Sequence, residues 1–125
     1  MKILLDTHIF LWWLMRSPRL GDRAVTQIEN ADEVHVSTVS LWEAAIKTST
    51  GKLEADIDEL RTAIPASHFI SLPVTMDHVL SFARLPQLHK DPFDRMLVAQ
   101  AITEPLRLLT ADRKLVGYSS VVDLV

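Results

Sequence analysis

Apolar runs and polar breaks alternate along this chain in a pattern that predicts strands followed by helices. Lys2–Leu5 is a short apolar run that stops at Asp6, which is typical of a buried parallel strand. Thr7–Met15 carries its apolar residues at helical spacing, and the Ser17-Pro18 pair marks its end. Glu33–Ser37 alternates and contains β-branched valines, which favours a second strand.

The same alternation continues along the rest of the chain. Helical spacing predicts further helices over residues 22–30, 38–48, 56–66, 75–85 and 89–103. Strand-like runs occupy residues 69–74, 106–110 and 121–125, and residues 111–115 indicate a turn or short helix. No repeats or linkers interrupt the pattern, so we expect residues 1–125 to form a single α/β domain. The expected architecture is a three-layer α/β/α sandwich with a mostly parallel central sheet.

The helix with the clearest start lies within residues 89–103. Asp91 can cap it, Pro92 suits its first position, and Asp94 falls in its first turn, where the helix dipole favours an anion. Apolar residues follow at the spacing of one helix face, so the Asp94 carboxylate is expected to point inward and Arg95 toward solvent. The residues predicted on the inward faces of this helix and of helices 38–48 and 75–85 are Leu97, Val98, Ala101 and Ile102; Val39, Trp42, Glu43 and Ile46; and Val79, Phe82 and Ala83.

Composition narrows the range of possible functions. The 125 residues are 48% hydrophobic and 23% charged with a net charge of −3, which indicates a folded protein with no broad polybasic surface. The absence of cysteine excludes disulfides, thiolate metal sites and thiol nucleophiles. Asp6 and His8 interrupt the apolar start of the chain, so we expect neither a signal peptide nor a membrane span and assume a cytoplasmic location.

Four acidic residues, Asp6, Glu43, Asp94 and Asp112, lie close to where predicted elements begin or end. Because parallel strands bring their carboxyl ends to one edge of a sheet, these side chains are expected to meet there. Each acid also has a structural explanation. Asp6 could cap a helix, Glu43 could form a capping box with Ser40, Asp94 could offset the helix dipole, and Asp112 could stabilise a turn.

Together the four carboxylates predict a divalent-metal site. Oxygen ligands suit Mg²⁺ or Mn²⁺, and such sites commonly hydrolyse phosphodiesters. The five histidines show no HxxxH pairing that would favour zinc, and we expect all except His89 to be partly exposed polar residues. The chain contains no P-loop, no dinucleotide-binding glycine motif and no nucleophile elbow.

Hydroxyl and basic residues flank these acids. The hydroxyl groups could cap helices, which is their more common role, or could orient a carboxylate. The basic side chains could contact phosphates across a local groove or simply be solvated. The hydroxyl residues are Thr7, Ser40 and Thr110, and the basic ones are Lys90, Arg95, Arg113 and Lys114.

The sequence around the acids resembles the PIN domain, specifically the VapC-type toxin of bacterial type II toxin–antitoxin pairs. The matching segments read LLDTHIFLWW, VSLWEAAIK, HKDPFDRMLVAQA and LLTADRKL, and they occur in the order found in the family. They contain Asp6, Glu43, Asp94 and Asp112, respectively. Asp91 is an additional acid that could cap the helix or reach the metal.

The resemblance implies a parallel sheet with helices on both faces and a Mg²⁺- or Mn²⁺-dependent endoribonuclease that cuts cellular RNA and stops translation. By analogy, Asp6 and Asp94 bind the metal directly, while Glu43 and Asp112 complete the pocket or hold water beside the metal. The resemblance also implies a homodimer that is silenced by a cognate VapB-type antitoxin, whose tail lies in an apolar groove.

The first predicted helix offers a candidate for that groove. Trp12, Trp13 and Met15 give it apolar surface on more than one side, which exceeds what one sheet face needs. The alternative is that both tryptophans belong to the core.

Two other functional classes share parts of this pattern. A phospho-acceptor receiver has a similar length and a strand-end aspartate, but it would need adjacent acids after the first strand and a lysine after the last, which this chain lacks. A catalytically silent interaction module would use the acids only as caps. Divalent-metal binding separates the silent module from the nuclease.

Overall fold

The computed structural model, which describes residues 1–125, contains a five-stranded sheet in which every neighbouring pair is parallel. The strands are β1 (Lys2–Leu5), β2 (Glu33–Ser37), β3 (Ile70–Leu72), β4 (Arg107–Thr110) and β5 (Val122–Leu124). The helices are α1 (Thr7–Met15), α2 (Asp22–Asn30), α3 (Thr38–Ser49), α4 (Ile57–Ala66), α5 (Met76–Ala83) and α6 (Pro92–Thr103), and a 3-10 helix spans Arg113–Tyr118.

Apolar side chains cover both faces of the sheet. Ile3 and Leu5 of β1 join a buried cluster with residues of α1, α2, α3 and α4. Leu4 points the other way and packs with Leu97 and Val98 of α6. This alternation places one hydrophobic layer on each side of β1, because successive strand residues face opposite sides. The predicted α/β fold with a parallel central sheet is confirmed.

The strand order β3-β2-β1-β4-β5 reverses direction at β1. The chain moves from β1 to β2 and β3 on one side, then returns to β4 and β5 on the other. In sheets of this kind, ligands bind in the crevice at the carboxyl ends of the strands where the order reverses. β1 ends at Leu5 and β4 at Thr110, so Asp6 and Asp112 lie beside this crevice.

The predicted elements all occur, with ends that shift by a few residues. The environments of several side chains differ from the predictions. Trp42, which was expected to face inward, is 61% exposed, and the same correction applies to Ile46, Val79, Ala83 and Ile102. Helical spacing predicts which residues share a face of a helix, but it does not predict whether another element covers that face along its whole length. None of the helices combines the length and apolarity that crossing a lipid bilayer requires.

Arg95 was expected to face solvent but is only 8% exposed. Helix α5 packs against α6, so α6 is covered on more than its sheet-facing side. The Arg95 guanidinium carbon lies 4.4 Å from the centroid of the Phe82 ring, a cation–π contact. His78 was expected to be partly exposed but is fully buried, and its Nε2 lies 2.5 Å from Oε2 of Glu104.

Candidate active site

Asp6 lies between β1 and α1 and is almost fully buried. Its Oδ1 accepts a hydrogen bond from the Ile9 backbone N–H at 3.0 Å, and its Oδ2 accepts one from the Thr110 hydroxyl at 2.6 Å. Burial raises the pKa of Asp6, although these two hydrogen bonds oppose the increase. Asp6 is therefore a helix cap, as one interpretation allowed, and Thr110 orients its carboxylate instead of capping a helix.

Asp94 occupies the first turn of α6, which Asp91 caps by accepting hydrogen bonds from the backbone N–H groups of Phe93 and Asp94. Burial raises the pKa of Asp94 to about 7, and the charges of Asp91 and Asp6 act in the same direction. A hydrogen bond with His89 lowers this pKa but does not offset the increase. The Asp94 carboxyl group is therefore only partly ionised at neutral pH without a cation beside it.

Asp112 caps the 3-10 helix, because its Oδ1 accepts a hydrogen bond from the Lys114 backbone N–H at 2.9 Å. Its second oxygen, Oδ2, lies 3.5 Å from Nε2 of His89. The same His89 nitrogen lies 3.1 Å from Oδ2 of Asp94. His89 therefore stands between the two acids, which agrees with the expectation that it is not an ordinary surface histidine.

Glu43 is buried on α3, as predicted, but it does not belong to a capping box. The cap of α3 is Ser37, whose hydroxyl accepts a hydrogen bond from the Val39 backbone N–H at 3.0 Å. Ser40 instead accepts a hydrogen bond from the Thr7 hydroxyl at 2.9 Å.

The two carboxylate oxygens of Glu43 have different surroundings. Oε2 lies 2.9 Å from Nζ of Lys47, whereas Oε1 is buried without a hydrogen-bond partner. The negative charge of Glu43 also raises the pKa of both Asp6 and Asp94, so the three carboxylates share one electrostatic environment.

Three of the four acids line an open cleft of about 330 Å³: Asp6, Asp94 and Asp112. The rest of the cleft wall is formed by His8, Trp12, Arg19 and Ala111. Arg19 was not among the predicted phosphate-binding residues. The Ser17-Pro18 turn was the one sequence signal that could have indicated it, since the Ser17 hydroxyl accepts a hydrogen bond from the Arg19 backbone N–H at 3.2 Å.

The chemistry of the site fits a divalent cation. His89, Asp94 and Asp112 each offer a ligand atom, and these atoms lie within 4.8 Å of one another. Carboxylate oxygens are the ligands that Mg²⁺ and Mn²⁺ prefer. Oε1 of Glu43 has no hydrogen-bond partner, and burial raises the pKa of both Asp6 and Asp94, so these carboxylates are poorly compensated without a cation.

A second groove, here called the α1 groove, is lined by both apolar and polar residues, most of them from α1 and the segment that follows it. It has a volume of about 520 Å³, and its lining residues are Trp13, Leu14, Arg16, Ser17, Leu20, Val25 and Ser67. The two tryptophans of α1 therefore face different places. The Trp13 ring lies in the groove with its centroid 5.8 Å from that of Phe69, whereas Trp12 lines the acidic cleft.

The order of the acids along the chain and their position on the sheet can be compared with known proteins. A family model described as "PIN domain" matches residues 3–119. Ribonuclease VapC22 from Mycobacterium tuberculosis is 33% identical over 115 residues, which cover 90% of this chain and 88% of the relative.

Solved structures show the same fold at lower identity. The VapBC2 complex of Rickettsia felis bound to a promoter DNA fragment matches with a TM-score of 0.72 and 16% identity, covering 100% of this chain and 98% of that one. A toxin–antitoxin complex from Klebsiella pneumoniae matches with a TM-score of 0.67 and 21% identity, covering 98% and 96%. Because the family match extends from β1 to the 3-10 helix and includes all four acids, the chain belongs to the PIN domain family.

Proposed function

We propose that this protein is a metal-dependent endoribonuclease toxin that cleaves cellular RNA, inhibits translation and is neutralised by a cognate VapB-type antitoxin. The observation that carries the proposal is the convergence of Asp6, Glu43, Asp94 and Asp112 at one sheet edge, with a pKa of about 7 for Asp94. The 33% sequence identity to Ribonuclease VapC22 supports RNA as the substrate.

Asp6, Asp94 and Asp112 would hold a Mg²⁺ or Mn²⁺ ion, and Glu43 would complete the pocket. The chemistry that a divalent ion would supply there is a lowered pKa of the attacking water and neutralisation of charge on the phosphate. The hydrogen bonds from Ile9 and Thr110 fix the Asp6 carboxylate, so no reorganisation is needed when a cation binds. Glu43 Oε1, which has no partner, would accept a hydrogen bond from the attacking water.

The cleft wall opposite the acids would contact the RNA strand. Arg19 is exposed, and its guanidinium forms no ion pair, so it would bind a phosphate next to the scissile one. Trp12 and His8 lie one turn apart on α1 with ring centroids 5.9 Å apart, and they would stack against an unpaired base. The positive charge of Arg19 would offset part of the repulsion between the acids and the RNA backbone.

The antitoxin tail would occupy the α1 groove. The structures from R. felis and K. pneumoniae are toxin–antitoxin complexes, which supports such a partner. The segment after α1 contributes Arg16 to the groove and Arg19 to the cleft, so a tail in the groove would run toward the acids. Of the three apolar residues expected to form this surface, Trp13 would contact the tail, while Met15 is exposed and does not line the groove.

A second copy of the chain would cover another apolar surface. Exposed Trp42 packs edge-on against Phe93 at a centroid distance of 4.9 Å. Together with Val74, Phe82 and Met96 these residues line a groove of about 590 Å³, which is consistent with the expected homodimer. Sedimentation of wild type and Trp42→Glu tests this assignment, and a wild-type monomer at micromolar concentration would contradict it.

RNA cleavage tests the proposed function directly. We expect purified protein to cut a labelled RNA in Mn²⁺ or Mg²⁺ but not in EDTA. Asp6→Asn keeps the side-chain size and removes the charge, so it should abolish cleavage. Asp77→Asn, an exposed acid on α5, is the matched control and should retain full activity. A wild-type protein that binds metal and antitoxin without cutting RNA would instead be a silent interaction module.

A further inference from the structure

We propose that His89 is a further metal ligand and that its nitrogen makes this site prefer Mn²⁺ to Mg²⁺. The inference rests on the proposed function, because it adds a donor to the same cation site. The four acids alone would present only oxygen atoms. The structure places one nitrogen among them.

The spacing of the donor atoms is that of neighbouring ligands. His89 Nε2 lies 3.1 Å from Asp94 Oδ2 and 3.5 Å from Asp112 Oδ2. In an octahedral shell with metal–ligand bonds of about 2.1 Å, adjacent ligand atoms are about 3.0 Å apart. The nitrogen therefore occupies a position from which it and both carboxylates can face one cation.

Tyr118 holds His89 in this position through two hydrogen bonds to the His89 backbone. The His89 N–H donates a hydrogen bond to the Tyr118 hydroxyl at 2.7 Å, and that hydroxyl donates one to the His89 carbonyl oxygen at 3.3 Å. Tyr118 ends the 3-10 helix that Asp112 caps. One short helix therefore positions two of the three donors, and the His89 side chain is only 15% exposed.

The nitrogen changes which cation fits best. Mg²⁺ binds almost exclusively to oxygen and gives up its water reluctantly, whereas Mn²⁺ accepts a neutral imidazole more readily. A site of carboxylates alone would separate the two ions weakly. With His89 among the ligands, replacement of the imidazole should lower the affinity for Mn²⁺ more than the affinity for Mg²⁺.

A simpler role for His89 is to orient Asp94 through a hydrogen bond. This role predicts no bond between nitrogen and the cation. Pulsed electron paramagnetic resonance of bound Mn²⁺ distinguishes the two roles, because a coordinated imidazole gives a ¹⁴N coupling that a hydrogen bond to a neighbouring carboxylate does not.

The experiment uses Mn²⁺ alone with the full chain, as wild type, His89→Gln and the control His8→Gln. His8 lines the cleft but lies outside the group formed by His89, Asp94 and Asp112. We expect a ¹⁴N coupling in wild type and His8→Gln and its loss in His89→Gln, with Mn²⁺ affinity about tenfold lower. His89→Asn, whose side chain is too short to reach, gives a second variant if glutamine lowers the melting temperature in EDTA.

The outcomes separate this inference from the proposed function. Bound Mn²⁺ without ¹⁴N coupling in wild type, or with coupling that persists in His89→Gln, overturns the ligand role of His89 while RNA cleavage still supports the nuclease. A chain that binds neither Mn²⁺ nor Mg²⁺ and cuts no RNA overturns both.

Discussion

Three histidines of this protein contact acids, and two of them, His78 and His89, differ in how the charge around the imidazole is balanced. At the α5–α6 contact, His78 Nδ1 accepts a hydrogen bond from the Thr75 backbone N–H at 3.0 Å, and Nε2 lies 2.5 Å from Glu104. Because Nδ1 is an acceptor, the ring proton is on Nε2 and points to the carboxylate. Nδ1 also lies 3.4 Å from Nε2 of Gln100, so both ring nitrogens of this buried histidine have partners.

At the candidate site, a single imidazole nitrogen of His89 lies within 3.5 Å of carboxylate oxygens of both Asp94 and Asp112. The negative charges of Asp6 and Glu43 also act on Asp94. The His78 contact stabilises the fold, since both ring nitrogens of this buried side chain have hydrogen-bond partners. An uncompensated surplus of one charge costs folding energy and persists where it serves binding or catalysis. The number of acids around each imidazole therefore distinguishes the structural contact of His78 from the candidate site at His89.

The largest expected difference between the two regions is in catalysis. Glu43→Gln and Glu104→Gln are the same substitution at two acids that each contact a basic group. We expect Glu43→Gln to lower RNA cleavage by at least about a hundredfold, because stabilisation of charge in a metal site is worth several kcal/mol. Glu104→Gln should retain wild-type kcat. Equal activity of the two variants would remove Glu43 from the site.

For the free energy of unfolding, in contrast, we expect substitution of His78 to have a larger effect than substitution of His89. His78→Ala removes a fully buried side chain, the capping contact of α5 and the partner of Glu104, so we expect the free energy of unfolding to fall by about 2–3 kcal/mol. His89→Ala should change it by less than about 1 kcal/mol. Urea denaturation in EDTA measures both, and a larger loss in His89→Ala would reverse the distinction.

The surplus charge predicts a pH dependence for the metal-free protein. The pKa of Asp94 rises from 3.8 to about 7 on folding, so the folded state favours the protonated form. The stability linked to this group is present below pH 4 and is lost as the pH rises to about 7. In EDTA at pH 8, Asp94→Asn should therefore melt about 3–6 °C above wild type, and the gap should close toward pH 4.

Mn²⁺ should reverse this ranking, since it stabilises wild type by binding the folded state and acts weakly on the variant. If Asp94 were only a first-turn partner of the helix dipole, its replacement would instead lower the melting temperature in EDTA. Thermal melts of both proteins with and without Mn²⁺ distinguish these outcomes.

The smallest expected effect concerns Arg19, the arginine that lines the cleft. In an inactive Asp6→Asn background, Arg19→Ala should weaken binding of a short RNA several-fold and reduce the salt slope by about one. Arg61→Ala, an exposed arginine on α4, removes the same charge away from the cleft and is the control. Identical salt slopes for the two variants would exclude a phosphate contact at Arg19.

The helices and strands could be predicted from the sequence because each depends mainly on residues within the element itself. That Asp6, Asp94 and Asp112 lie in one cleft could be predicted because parallel strands end at the same edge of a sheet. Asp6, Asp94 and Asp112 directly follow a strand or start a helix, so their place at the sheet edge follows from connectivity.

Contacts between distant segments were the part that the sequence did not predict. Arg95 and His78 are both buried because α5 and α6 pack against each other, and this packing also brings His78 to Glu104, which is 26 positions away. Arg19 reaches the cleft through a turn whose direction depends on how α1 packs. Helical spacing describes one face of an isolated helix and carries no information about a second helix laid across it.

The hydrogen bond between Thr110 and Asp6 joins residues that are 104 positions apart. The first acid of the cleft therefore leaves the ribosome well before its partner, which arrives only after β4 has been synthesised and inserted beside β1. Assembly that depends on such distant pairing is slow compared with local helix formation. A nascent chain therefore has no complete cleft before β4 has been made, which separates the synthesis of the first acid from the onset of activity. In refolding experiments, metal affinity should return with the slowest phase, after most of the helical signal.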